Sequence, residues 1–244
     1  MKNTEFRAVI LAAGKGTRMK SDLPKVLHEI KGKPLLGYVL DTAKGAGAKK
    51  IIVIIGHQAQ TVRERFSDCE CVFVKQEPQL GTGHAVLQAK KELNDYNGLT
   101  LILCGDVPLL KPETINNLIK EHVKTDSCLT VLTTLVPDAH GYGRIVKDKK
   151  GDIEKIVEQL DATEEEKKIS EINTGIYCVN TPFLLSALEK IDNRNNKQEY
   201  YLTDIVEIAR RERRKAHACV TKDYIEVMGI NTPDELIRAG KYLK

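Results

Sequence analysis

The sequence predicts an α/β fold, a Rossmann-like, mixed but mainly parallel sheet flanked by helices. Three observations predict it: short apolar runs alternate with helical periodicities through the first half, those runs are apolar on successive positions, and unusual residues gather just beyond their carboxyl ends. Strands covered on both faces read as continuous apolar runs, and strand–helix alternation implies parallel pairing with right-handed crossovers.

Residues 6–11 form the first strand-like run and lead into a glycine-rich loop. Residues 34–43 read as a helix, with Leu35, Leu36, Val39, Leu40 and Ala43 on one stripe and Pro34 suited to the first turn. A β-branched strand follows at 51–55, then a helix over 58–66, a strand over 71–74 and a helix over 84–91. Residues 99–104 are another buried strand, and 112–123 a helix. The second half predicts strands at 128–135, 144–146, 153–157 and 172–179, and helices at 183–189, 202–213 and 233–242. Residues 163–168 read as a solvated loop or short helix, and 193–198 as a long polar loop. Residues 1–244 are expected to form one domain: a first half to about residue 125, and an extension over about 126–231 that faces a substrate.

Composition narrows the function. Hydrophobic residues are 41% and charged residues 30% of the 244, an ordinary globular balance. The net charge of +4 is too mild for a nucleic-acid coat, and 5% aromatics with no Trp disfavours a stacking platform for single strands. No apolar run approaches the ~20 residues of a membrane span, and the amino terminus has no signal-peptide core, so a cytoplasmic protein is expected. Cys69, Cys71, Cys104, Cys128, Cys178 and Cys219 lack paired CxxC spacing and read as small hydrophobes in a reducing compartment. The six histidines form no HExxH.

In open α/β sheets, ligands bind beyond the carboxyl ends of the strands. After the first strand come Gly14-Lys15-Gly16-Thr17-Arg18-Met19 and then Pro24-Lys25. Glycines let backbone N–H groups approach phosphate oxygens, and Lys15, Arg18 and Lys25 supply cations. Met19 replaces the third glycine of GxGxxG, and no GxxxxGK[ST] is present, so this is neither common phosphate loop. The glycines alone are equally consistent with a plain turn; Arg18 and Pro24-Lys25 favour phosphate binding. Asp106 closes Cys104-Gly105 at the end of a buried strand, as either a Mg²⁺ ligand beside phosphates or a helix N-cap or turn aspartate. Gln76 offers a donor and an acceptor side by side, matching the edge of uracil, although a lone loop glutamine is ordinarily just exposed. Gly81 would let a base approach the backbone. His84 belongs to the first turn of the next helix.

Together these segments resemble the sugar-nucleotide pyrophosphorylases, and among them the uridylyltransferases that serve N-acetylglucosamine 1-phosphate. The matching motifs are LAAGKGTRM (11–19), DLPKVLH (22–28), QLGTGHAV (79–86), GDVPLL (105–110), GYGRIV (141–146), IVEQ with DAT (156–163), EINTGIY (171–177), EYYLTD (199–204) and GIN (229–231). The resemblance implies the nucleotide-diphospho-sugar transferase fold and the transfer of UMP from UTP to the sugar phosphate. It implies that Leu11, Ala12, Ala13 and Gly14 hold the nucleotide together with Cys104 and Gly105, and that Gln76, Gly81 and Thr82 read uracil. Arg18 and Lys25 would neutralise phosphates, and Asp106 and Asn231 would bind Mg²⁺. Gly143, Glu158, Asn173 and Asn231 would line the sugar and its phosphate. From the residues alone, Glu158 would be an exposed strand-end charge and Asn173 a turn residue before a strand. Gln159 and Leu160 depart from the more polar residues of the family at this point, which touches sugar discrimination. No hexapeptide periodicity is present, so neither the acetyltransferase β-helix of bifunctional members nor its trimerisation is expected, and the oligomeric state stays open. Rival readings are a cytidylyltransferase or another hexose-1-phosphate nucleotidylyltransferase on this fold, or a nucleotide sensor that has lost its chemistry.

Overall fold

The computed structural model describes residues 4–243. In chain order the elements are β1 (Phe6–Ala12), β2 (Glu29–Ile30), β3 (Lys33–Pro34), α1 (Leu35–Gly45), β4 (Lys50–Ile55), α2 (Ala59–Arg65), β5 (Val72–Lys75), α3 (Thr82–Leu87), α4 (Lys90–Leu93), β6 (Leu99–Cys104), α5 (Pro112–Thr125) and β7 (Leu129–Leu135). They continue with β8 (Arg144–Lys147), β9 (Ile153–Val157), β10 (Glu171–Asn180), α6 (Thr181–Leu188), α7 (Ile205–Arg211), β11 (Ala216–Thr221) and α8 (Pro233–Ala239). The sheet order is β11-β7-β10-β6-β1-β4-β5, with β8 and β9 attached alongside β10. β6, β1, β4 and β5 run parallel, as the strand–helix alternation predicts, and β11 runs parallel to β7. β10 enters antiparallel to both β6 and β7 and makes the sheet mixed.

The apolar runs of the central strands feed two cores, one on each face. Val9, Ile52, Ile54 and Ile102 pack with α3, α6 and α7, while Ala8, Ile10, Val53, Ile55, Leu101 and Leu103 pack with α1 and α5. Burying both faces is what a parallel sheet requires, and it holds the carboxyl ends of β1, β4 and β6 rigidly along one edge. A smaller cluster of Ile30, Leu35, Ile230 and Ala239 ties α8 and the segment before Asn231 to the β2–β3 hairpin.

Several details depart from the sequence reading. The helix expected over 84–91 is two short ones, α3 and α4, and the helix expected from 202 opens as a 3-10 turn, Leu202–Asp204, before α7. β11 and the β2–β3 hairpin were not legible. No helix among the described residues is long and apolar enough to cross a membrane.

Candidate functional site

The site is built where the chain leaves β1 and β6. These strands pair in parallel to Leu11 and Cys104, and the Gly105 N–H then donates to the Leu11 carbonyl at 2.9 Å. A Cβ on Gly105 would lie 3.0 Å from that oxygen, tighter than an ordinary contact, so glycine suits this close turn across the end of β1. The turn delivers Asp106 beside the loop after Ala12. In that loop Gly16 is left-handed (φ 63°), and a Cβ there would sit 2.5 Å from the Cβ of Lys25. Lys25 opens a 3-10 turn (Lys25–Leu27) whose Val26 and Leu27 are buried, which anchors its backbone and leaves the ammonium free to reach inward.

Four side chains far apart in sequence meet here. The Lys25 ammonium donates to Asp106 Oδ2 and, at 3.1 Å, to Asn231 Oδ1; Arg18 donates to the same Asn231 oxygen at 2.9 Å. Lys25 and Asp106 keep only 17% and 16% side-chain exposure. Asn231 is fixed from behind: its N–H donates to Glu235 Oε2 at 2.7 Å, and its Nδ2 donates to the Gly229 carbonyl at 3.1 Å. The Ile230 N–H donates to the Asp106 carbonyl at 2.9 Å, and Thr232 and Glu235 complete a capping box on α8. Asp106 caps no helix, since α5 begins at Pro112; it sits in the turn that follows β6, as the turn reading expects. Lys15 is exposed and makes none of these contacts.

Gln76 is buried, with 4% exposure, instead of standing exposed in a loop. Its Nε2 lies 2.9 Å from the Gly81 carbonyl and 3.1 Å from His84 Nδ1. Burial pushes the His84 imidazole below its ordinary pKa, and the residue sits in the first turn of α3. Gly81 (φ 111°) has no room for a Cβ, which would come 2.6 Å from the Tyr200 carbonyl. Backbone bonds from Tyr200 N to Leu80 O and from Gly83 N to Tyr200 O, both 2.8 Å, lock the 79–83 segment to the 199–202 segment. The Thr82 hydroxyl accepts from the Leu202 N–H at 3.0 Å. Gln79 donates to the Ala13 carbonyl at 2.6 Å, and so joins this segment to the glycine loop.

Gly143, Glu158 and Asn173 also come together. A Cβ on Gly143 would lie 3.4 Å from Glu158 Oε1 and 3.6 Å from the Asn173 Cβ. Asn173 lies inside β10 and not in a turn before it, at an irregularity in the β7–β10 register. Its Oδ1 accepts from the Gly175 N–H at 3.0 Å and its Nδ2 donates to the buried Tyr177 hydroxyl at 2.8 Å. Glu158 is half-buried where an exposed charge was the plain expectation. Burial raises its carboxyl pKa, Lys197 opposes this, and Asp161 and Glu199 add to it. Nearby, Asp161 Oδ2, the Tyr201 hydroxyl and the Thr203 hydroxyl are buried without hydrogen-bond partners. The Tyr201 hydroxyl neighbours the Asp161 carboxyl and the Thr203 hydroxyl neighbours Glu158, so these polar groups face one another beside Glu158. Tyr201 and Thr203 belong to the EYYLTD motif and Asp161 to the DAT motif, and neither motif marks them as functional.

The donor set defines what a cation would meet. Asp106 Oδ2 and Asn231 Oδ1 converge on one positive centre, the Lys25 ammonium. Among the described residues no group of three or more His, Cys, Asp or Glu could hold a metal. One carboxylate and one amide oxygen do not make a closed zinc-type cage. They do fit a hard ion such as Mg²⁺, which takes few protein ligands and completes its shell with water and phosphate oxygens.

A glycine loop with cationic side chains at the carboxyl edge of a parallel sheet is where α/β proteins of the nucleotide-handling class place phosphorylated ligands. Residues 7–239 match the nucleotidyl transferase family, and the chain belongs to it. More particularly, it is similar to proteins described as bifunctional protein GlmU. It is 48% identical over 239 residues to that of Clostridioides difficile, covering 98% of this chain and 52% of the relative, and 47% identical over 241 residues to that of Geobacter metallireducens, covering 98% and 51%. With the Desulfotalea psychrophila relative it shares 44% over 243 residues, covering 72% of that protein. The chain thus spans about half the length of most of these relatives. Among solved structures, a UDP-glucose pyrophosphorylase complexed with UDP-glucose superposes with a TM-score of 0.76, covering 98% of each chain at 20% identity, which establishes the shared fold.

Proposed function

We propose that this chain transfers UMP from UTP to N-acetyl-α-D-glucosamine 1-phosphate, giving UDP-N-acetylglucosamine and pyrophosphate. The observation that carries the reading is the convergence of Arg18, Lys25, Asp106 and Asn231 on one point beside the glycine loop. A phosphate oxygen of the sugar phosphate attacks the α-phosphorus of UTP; a P–O bond forms to the sugar phosphate as the bond to the β-phosphate breaks, and pyrophosphate leaves. The attacking oxygen is already ionised near neutral pH, so no general base is needed, and catalysis rests on alignment and charge stabilisation.

The backbone of Leu11 to Gly14, together with Cys104 and Gly105, would cradle the nucleotide, while Gln76, Gly81 and Thr82 read the base. Arg18 and Lys25 would balance the phosphates. Asp106 and Asn231 would hold Mg²⁺, which when bound neutralises charge on the phosphate oxygens. Gly143, Glu158 and Asn173, with Tyr201 and Thr203, would face the sugar. In this reading the first half of the chain, to about residue 125, serves the nucleotide and the remainder the sugar. Six free cysteines suit a reducing, cytoplasmic setting.

The test is pyrophosphate release by the purified chain with Mg²⁺, using UTP or CTP against N-acetylglucosamine, glucosamine and glucose 1-phosphates. The reading expects turnover with UTP and the N-acetylated sugar. Activity only with CTP would overturn it in favour of a cytidylyltransferase, and tight UTP binding without turnover would mark a sensor.

A further inference from the structure

We infer that Arg144 and Gln159 are positioning residues that set the spacing of the sugar-facing groups, an assignment that rests on the function proposed above. Arg144 is 2% exposed and its Nε is buried without a partner; the Asp138 and Glu158 carboxylates attract it, but neither forms an ion pair with it. Burying an unpaired guanidinium is expensive, and a core that needed only volume would hold an aliphatic side chain there. What the guanidinium does instead is join two segments. One terminal nitrogen donates to the Tyr142 carbonyl, and the other donates to Gln159 Oε1 at 2.8 Å. The same Gln159 oxygen accepts the Gly141 N–H at 2.9 Å. Since both partners are donors, the atom they share must be the amide oxygen.

The strand register shows why this matters. Arg144 pairs with Val157 of β9 and with Ile172 of β10. Gly143 directly precedes Arg144, Glu158 directly follows Val157, and Asn173 directly follows Ile172. Because these strands pair antiparallel, the three residues emerge side by side at one end of one three-stranded patch. The Asn173 N–H donates to the Gly143 carbonyl at 2.9 Å and fixes one side of the trio. No ladder bond fixes the other side, between the 141–143 loop and Glu158, because β9 ends at Val157. The Arg144–Gln159–Gly141 clamp closes that gap. Two polar side chains thereby hold the Gly143 backbone close beside Glu158, whose Oε1 would lie 3.4 Å from a Cβ at position 143.

Initial-rate kinetics on Gln159→Leu and Gln159→Glu, with each substrate varied separately and melting curves run in parallel, test this. Leu keeps the volume and removes the acceptor; Glu keeps an acceptor for both donors and pairs the arginine. The expected result for Gln159→Leu is a KM for N-acetylglucosamine 1-phosphate raised on the order of tenfold, a KM for UTP within about twofold, and Gln159→Glu back to within about threefold of the parent on both. The assignment is overturned if Gln159→Leu leaves both KM values unmoved. It is also overturned if both rise together with a lowered Tm, as a merely structural role requires, or if Glu fails to rescue. A parent chain inactive with this sugar phosphate would sink the proposed function itself, an outcome separate from an active parent with an indifferent Gln159→Leu.

Discussion

Asp106→Asn separates charge from shape at the centre of the site. The amide keeps the size of the carboxylate and can still accept from Lys25, but it removes the only formal negative charge from a cluster that holds two cations and a candidate metal position. Two unit charges about 3 Å apart at an effective dielectric of about 20 attract by roughly 5 kcal/mol. Desolvating a pair this buried takes back most of that, so the net loss of folding stability should be about 1–2 kcal/mol. The catalytic loss is larger. In the proposed reading this carboxylate would hold the Mg²⁺ that offsets charge on the phosphates, and removing a principal electrostatic group costs on the order of 10²–10³ in turnover, about 3–4 kcal/mol. Pyrophosphate release at saturating substrates, with Mg²⁺ titrated upward and a melting curve on the same sample, measures both. A folded variant with turnover within fivefold of the parent would refute the role given to Asp106.

Lys25→Ala should also lower turnover by roughly 10²-fold in a folded protein, read in the same assay, and near-parental activity would remove Lys25 from the mechanism. Gly16→Ala forces a side chain into a left-handed position 2.5 Å from the Lys25 Cβ. It should cost about 1–2 kcal/mol in stability and displace the lysine, seen as a lowered Tm together with reduced kcat; an unchanged kcat would show that the loop does not set Lys25. The Asp204 carboxyl is pushed up to about 6, chiefly by burial, with Glu207 and Asp192 adding to the effect. In the unfolded chain it titrates near its ordinary value of 3.8, so between pH 4 and 6 the folded state holds the extra proton and stability falls as pH rises. Asp204→Asn removes that penalty, and Tm should rise at pH 7.5, by a stability of about 1–2 kcal/mol after screening, but not at pH 4. An equal change at both pH values would discount the titration.

The central sheet was legible because its strands are buried on both faces and announce themselves as apolar runs, Leu99–Cys104 to the residue. β11 escaped because it is an edge strand whose middle residues are half-exposed, so Ala216–Thr221 carries neither a run nor a strict alternation. β2 and β3 are two residues each, too short for any period to register. In the site, the glycine loop, Lys25 and Asp106 could be read as local motifs. That Asn231 joins them, 125 residues beyond Asp106, is a matter of how α8 docks on the hairpin, which no local pattern encodes. Glu158 and Asn173 look ordinary in sequence because their surroundings come from neighbouring strands. Arg144 had a visible signal, a charge at the head of the apolar run 144–146, but nothing in the sequence showed that its partner is Gln159.

β10 belongs to two neighbourhoods at once. Its Tyr177–Asn180 end is in register with β6 beside β1, while its Glu171–Asn173 end pairs with β7 and β8 and carries Asn173. Between them Gly175 (φ 77°) leans on β6, where a Cβ would come 2.7 Å from Cys104 Sγ. Recombination between relatives with different acceptor preferences therefore cannot place a crossover inside residues 173–177 without mismatching the graft to its host. A chimera that changes acceptor preference and still folds has to import this strand whole, with junctions in the loops on either side of it.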